Sequence, residues 1–110
     1  MKITQQTIIL SGQLDANKVT QMRTDFDFYS QSDLSIILDL SGVYFMDSSG
    51  IGAIVFLYKR LLSKGLSLVV SGLNGQPAEL FKMLHLDQTI ECFSDTDANQ
   101  SMSGRMSMAS

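Results

Sequence analysis

The run Leu34 to Leu40 is strand-length and almost wholly apolar, and after a short interval a second apolar segment, Gly50 to about Ser63, repeats at helical spacing. An unbroken apolar strand is the pattern of a central strand covered by other elements, most often in a parallel sheet with helices packed against it. That restricts the chain to an α/β architecture. Between the two segments lies Val43-Tyr44-Phe45-Met46-Asp47-Ser48-Ser49-Gly50-Ile51-Gly52, which places one carboxylate and two hydroxyls where a strand hands over to a helix. The first four N–H groups of a helix lack intrahelical acceptors and the helix dipole adds partial positive charge there. Asp47, Ser48 and Ser49 are therefore natural caps, and a phosphate would be stabilised. Gly50 and Gly52 keep the first turn open.

The flanking sequence extends the alternation. Thr7 to Leu10 is a β-favouring run ending at Ser11-Gly12, and Met1 to Thr4 is a candidate hairpin partner for it across Gln5-Gln6. Asp15 is placed to cap a helix whose stripe is Val19, Met22, Phe26 and Tyr29, with Phe28 off the stripe. In the helix from Gly50, the residues Ile51, Ile54, Val55, Tyr58, Leu61 and Leu62 form the predicted core face, and Ser49, Ala53, Phe56, Arg60 and Ser63 the opposite one. Phe56 is then a large ring on the solvent side, either a lone exposed hydrophobe or a partner contact. Gly65 ends that helix, Leu66 to Val70 is another buried strand, and Pro77 suits the first position of a helix striped by Leu80, Phe81 and Leu84. Thr89 to Phe93 reads as a last short strand, and residues 94–110 as a weak terminal helix around Thr96 to Met102 or a flexible tail.

With 110 residues and no linker or repeat, the chain is expected to form one domain over its whole length. A net charge of −3 provides no basic patch for a nucleic-acid backbone. The single cysteine, Cys92, cannot form an internal disulfide, which fits a reducing compartment such as the cytoplasm, and no apolar run is long enough to span a membrane. No cofactor motif is present: Gly50-Ile51-Gly52 lacks the third glycine of a dinucleotide fingerprint, and Asp25, Asp27, Asp95 and Asp97 lack metal-ligand spacing. A serine hydrolase would need a glycine two residues before Ser48, where Met46 stands, and the only histidine is His85. The expectation is a protein that is not an enzyme. Asp39 and Asp47 stand apart from the other carboxylates as candidate turn caps at the outlet of the apolar strand.

The order Ile36-Ile37-Leu38-Asp39-Leu40, then Phe45-Met46-Asp47-Ser48-Ser49-Gly50-Ile51-Gly52, then an apolar helix resembles the STAS domain of bacterial anti-sigma factor antagonists. Upstream Ile8-Ile9-Leu10-Ser11-Gly12-Gln13-Leu14-Asp15 and downstream Gly65-Leu66-Ser67-Leu68-Val69-Val70-Ser71-Gly72 extend the resemblance over residues 2–93. It implies a single STAS-like domain: a mixed, mostly parallel sheet of four to five strands with about four helices. It also implies a phosphorylation-controlled partner switch with Ser48 as phosphoacceptor, preferred over Ser49, supported by Asp39, Asp47, Ser49, Gly50 and Gly52. The implied partners are a histidine-kinase-like serine kinase that is itself an anti-sigma factor, and a serine phosphatase. Phe56, Ala53 and Arg60 are the candidate partner-binding residues. The alternative is an unswitched STAS docking subunit of a transporter or sensor complex.

Overall fold

Asp15 adopts an extended backbone and its side chain accepts the Lys18 N–H, so the chain turns from strand into helix at that residue. The same device recurs at Asp47, and the result is strict alternation. The computed structural model describes residues 5–93. They form β1 (Gln5–Leu14), α1 (Ala16–Ser30), β2 (Ser35–Met46), α2 (Ser48–Ser63), β3 (Leu68–Ser71), α3 (Gly75–Met83), a 3-10 turn (Leu86–Gln88) and β4 (Glu91–Phe93). The strands lie in the order β1-β2-β3-β4, and all three pairings are parallel. The antiparallel partner expected at Met1 to Thr4 and the helix expected around Thr96 to Met102 lie outside the described residues.

Both long strands outrun their sequence limits. β1 does not end at Ser11-Gly12 but continues to Leu14, because register shifts on either side of that pair and a positive φ of 84° at Gly12 absorb the irregularity as a bulge. β2 likewise continues past Leu40 to Met46, whereas β3 stops at Ser71 opposite Asp39. Beyond Asp39 the sheet is therefore a two-stranded arm of β1 and β2, and the arm carries the chain into the start of α2.

The core takes alternate residues of the strands as far as Leu40, and every third residue of β2 beyond it. Ile8 and Leu14, then Ile36, Leu38, Leu40, Val43 and Met46, then Leu68 and Val70 pack with Val19, Met22 and Phe26 of α1, Ile54, Leu57 and Leu61 of α2, and Phe81 of α3. The intervening residues differ: Ile37 and Val69 are half-buried and Ile9 is 72% exposed. Among the described residues β2 is thus covered fully on one face, not on both as its apolar run predicts.

The buried arc of α2 is rotated from the expected face. Ala53 and Leu57 are buried, Val55 and Tyr58 only partly, and Leu62 is exposed. The polar residues of the helix, Ser48, Ser49, Lys59, Arg60 and Ser63, fall within one arc, and the buried side lies opposite it, centred on Ile54, Leu57 and Leu61, where α2 packs against both the sheet and α1. α2 closes at Ser63; just beyond it the Gly65 N–H reaches Leu62 O at 3.0 Å, and the Gly65 φ of 75° turns the Leu66 N–H back to Leu61 O at 2.9 Å. Pro77 occupies the third position of α3, not the first, where its missing N–H still costs no helical bond. Leu84 is exposed because α3 closes at Met83, with His85 in a left-handed conformation just beyond.

Leu38 and Ile54 are both fully buried, so Leu38→Ala and Ile54→Ala are each expected to lower stability by about 2–5 kcal/mol. Urea unfolding measures this, and losses well under 1 kcal/mol at both sites would contradict the packing described.

Candidate functional site

Asp47 takes an extended backbone at the end of the arm, and its Oδ1 accepts the N–H groups of Ser49 at 2.9 Å and Gly50 at 3.2 Å. The Asp47 carbonyl accepts the Ile51 N–H at 3.1 Å as the first helical bond. Helix α2 therefore begins at Ser48, two residues earlier than the sequence indicates, and Ser48 is exposed while Ser49 is half-buried. The cap is the aspartate, not Ser49. Because the carboxylate already occupies two donors of the first turn, an added phosphate on Ser48 would meet a like charge beside it, not an empty anion site.

Three contacts fix this turn against the body. The Asp47 N–H donates to Leu14 O at 3.3 Å, joining the two strands of the arm at its tip. Gly50 lies on the same residue: a Cβ there would fall 2.6 Å from Leu14 O and 2.9 Å from the Met46 side chain, so only glycine lets α2 start this close to β1. From α3, Gln76 accepts the Met46 N–H through Oε1 and donates Nε2–H to Met46 O, both at 2.9 Å. Gln76 has no strand or motif signature and lies far along the chain, so sequence reasoning had no means to find it.

The other expected site residues are distributed as follows. Asp39 is not beside the serines: its Oδ1 accepts the Ser41 N–H at 2.9 Å, and it sits where β3 ends. The arm, spanned on β1 by Ile9 to Leu14, puts about 15–20 Å between it and Asp47. Gly52 is exposed, a methyl added to it would meet nothing within 4 Å, and it leaves a bare step on the helix surface after Ser48. Phe56 is 50% exposed and follows Ser48 and Gly52 at four-residue steps, in one lane about 12 Å long. Arg60 stacks over the Phe56 ring at 5.9 Å and pairs with Asp27 of α1. Ala53 is only 1% exposed, so its place on a partner-binding face is corrected: the surface lane runs through Gly52 instead. Tyr44 and Phe45, exposed on the arm just before the turn, are two further aromatics for which the sequence indicated no role.

Among the described residues there is no group of three or more His, Cys, Asp or Glu side chains placed to hold a metal ion. His85 is exposed in the turn after α3, where its backbone is left-handed and its N–H donates to Lys82 O at 3.1 Å. Burial, with Asp87 and Glu91 nearby, pushes the Cys92 thiol up to about 11, so it stays protonated and unreactive near neutrality. No described helix is long and apolar enough to cross a membrane.

Comparison with known proteins resolves the family. The sequence model of the STAS domain matches residues 1–99. The chain belongs to the STAS domain family. Among relatives of this STAS domain, the anti-sigma F factor antagonist of Paenibacillus polymyxa is 32% identical over 92 residues, covering 82% of this chain and 78% of its own. The anti-sigma-B factor antagonist of Listeria monocytogenes is 29% identical over 85 residues, covering 76% and 75%. In fold, the STAS domain is similar to the Bacillus cell fate determinant SpoIIAA in its phosphorylated form, with a TM-score of 0.67 at 21% identity over 92% of this chain and 93% of that one. The unphosphorylated anti-sigma factor antagonist SpoIIAA gives 0.65 at 23% identity, over 94% and 90%.

The two site glycines are expected to respond in opposite directions. Gly50→Ala forces a methyl into Leu14 and should destabilise by about 1–3 kcal/mol, whereas Gly52→Ala meets open space and should stabilise α2 by about 0.5–1 kcal/mol. Thermal melts of both variants decide it, and equal effects would contradict the close seating of α2 on β1.

Proposed function

We propose that this STAS domain is a phosphorylation-controlled partner-switching regulator. In its unphosphorylated form it binds a histidine-kinase-like serine kinase that acts as an anti-sigma factor, that kinase phosphorylates Ser48 and is released, and a serine phosphatase restores the binding form. The observation that carries this reading is the exposed Ser48 at the first position of α2, directly after a capping Asp47 whose carboxylate is already committed to the backbone. The names of the relatives, anti-sigma factor antagonists, supply the kind of partner.

The chemistry suits a switch that leaves the fold intact. A phosphate adds about −1.5 to −2 charges to an exposed hydroxyl. At side-chain separations, repulsion between it and the Asp47 carboxylate is roughly 1–4 kcal/mol across the dielectric range of a surface. That repulsion turns the phosphate outward, toward whatever covers the lane of Ser48, Gly52 and Phe56. An interface packed on that lane would have to desolvate a dianion at several kcal/mol, more than the roughly 2.7 kcal/mol that a hundredfold loss of affinity requires. Phe56, stacked with Arg60, provides the aromatic anchor of the same surface.

Incubation with source-cell extract and ATP should add one phosphate, mapped by mass spectrometry to the Ser48 peptide, and Ser48→Ala should abolish it while losing no more than about 1 kcal/mol of stability. Phosphate on Ser49, with Ser48→Ala still a full substrate, would contradict the assignment; no phosphate at all would favour an unswitched docking subunit. Phe56→Ala should weaken capture of the kinase while leaving the melting temperature nearly unchanged. Equal losses in both measurements would place Phe56 in the core.

A further inference from the structure

β3 stops opposite Asp39, so on that side β2 runs on to Met46 with no neighbouring strand among the described residues. Its free edge is nevertheless not bare. Asn74, at the start of α3, donates Nδ2–H to Ser41 O at 3.5 Å and to Gly72 O at 2.8 Å, and Gln76 engages both the N–H and the C=O of Met46. A primary carboxamide presents an acceptor and a donor side by side, which is the pattern a neighbouring strand offers to a residue in a ladder. The bracketed residue is Met46, immediately before Asp47. Its peptide therefore has both polar groups fixed on the side facing α3, while Leu14 holds the Asp47 N–H from β1.

We propose that Gln76 is a positioning residue for the acceptor turn: its carboxamide replaces the missing strand beside Met46 and thereby holds Asp47 and Ser48 in the orientation a kinase must meet. The proposal rests on Ser48 being the phosphoacceptor. Gln76 is not on the Ser48, Gly52 and Phe56 lane, so its loss should disturb how the hydroxyl is presented without removing the surface on which a partner docks. Without Gln76 the Met46 N–H and C=O lose their only bonds toward α3, and the turn gains freedom relative to α2.

Gln76→Leu and Gln76→Glu test this, the second retaining the acceptor for Met46 N–H while losing the donor to Met46 O. The first readout needs no kinase. Hydrogen exchange at the Ser49 and Gly50 amides, whose acceptor is Asp47, should accelerate roughly tenfold in Gln76→Leu and less in Gln76→Glu, with the Val69 and Val70 amides of β3 unchanged. The second uses source-cell extract with ATP: the maximal rate of Ser48 phosphorylation should fall roughly tenfold while the half-saturating protein concentration stays at its wild-type value. Unchanged exchange at Ser49 and Gly50 overturns the proposal, as does a rise in the half-saturating concentration at an unchanged maximal rate. If wild-type protein is not phosphorylated at all, the switch reading fails by itself, and the exchange rates still decide whether Gln76 holds the turn.

Discussion

The acceptance of two first-turn N–H groups by the Asp47 carboxylate is the interaction on which the rest of the site depends. A helix start without a cap leaves its donors to water and frays, and a frayed first turn would present Ser48 in many orientations. With Asp47 committed to Ser49 and Gly50, the helix begins at Ser48 itself and the hydroxyl is exposed on a defined turn. The cap in turn needs a fixed base. The tip of the β1-β2 arm provides it through the Asp47 N–H bond to Leu14 O, and the absence of a side chain at Gly50 lets the helix settle there.

This arrangement separates two tasks that a single flexible loop would confuse. The backbone at Met46, Asp47 and Gly50 is held by β1, α2 and α3, so covalent change at Ser48 is not expected to reorganise the fold. The surface around Ser48 is left free to change its charge. The lane from Ser48 over Gly52 to Phe56 is exposed, and Arg60, which stacks on Phe56, is anchored to Asp27 of α1 instead of reaching toward the serine. A phosphate there would alter electrostatics at the surface and leave the core, from Leu38 to Phe81, untouched.

The α/β class, the order of the elements and the strand-to-helix turn were legible because each rests on local chemistry: apolar runs, aspartate caps at Asp15 and Asp47, and the glycine stop at Gly65. What was illegible rests on long-range contacts. The passage of β1 through Ser11-Gly12 depends on a bulge paired with β2, and the extension of β2 to Met46 depends on β1 beside it. Ala53 stands at the border between the polar arc of α2 and its apolar one, so its burial is decided by how the helix settles between sheet and α1. Asp39 shares its residue type with Asp47 and lies in the strand that leads to it, yet its carboxylate serves the Ser41 N–H within β2. Gln76 reaches Met46 across thirty residues, a contact with no local sign at all.

Charge added at Ser48 is proposed to change partner affinity while the fold stays as it is. Calorimetric titration of the phosphorylated and unphosphorylated protein against the captured kinase, with thermal melts of both forms, tests it most directly. Binding should weaken at least a hundredfold on phosphorylation, equivalent to about 2.7 kcal/mol, with both forms cooperatively folded and melting within a few degrees of one another. Equal affinity of the two forms, or weaker binding that appears only because the phosphorylated protein has unfolded, would contradict it.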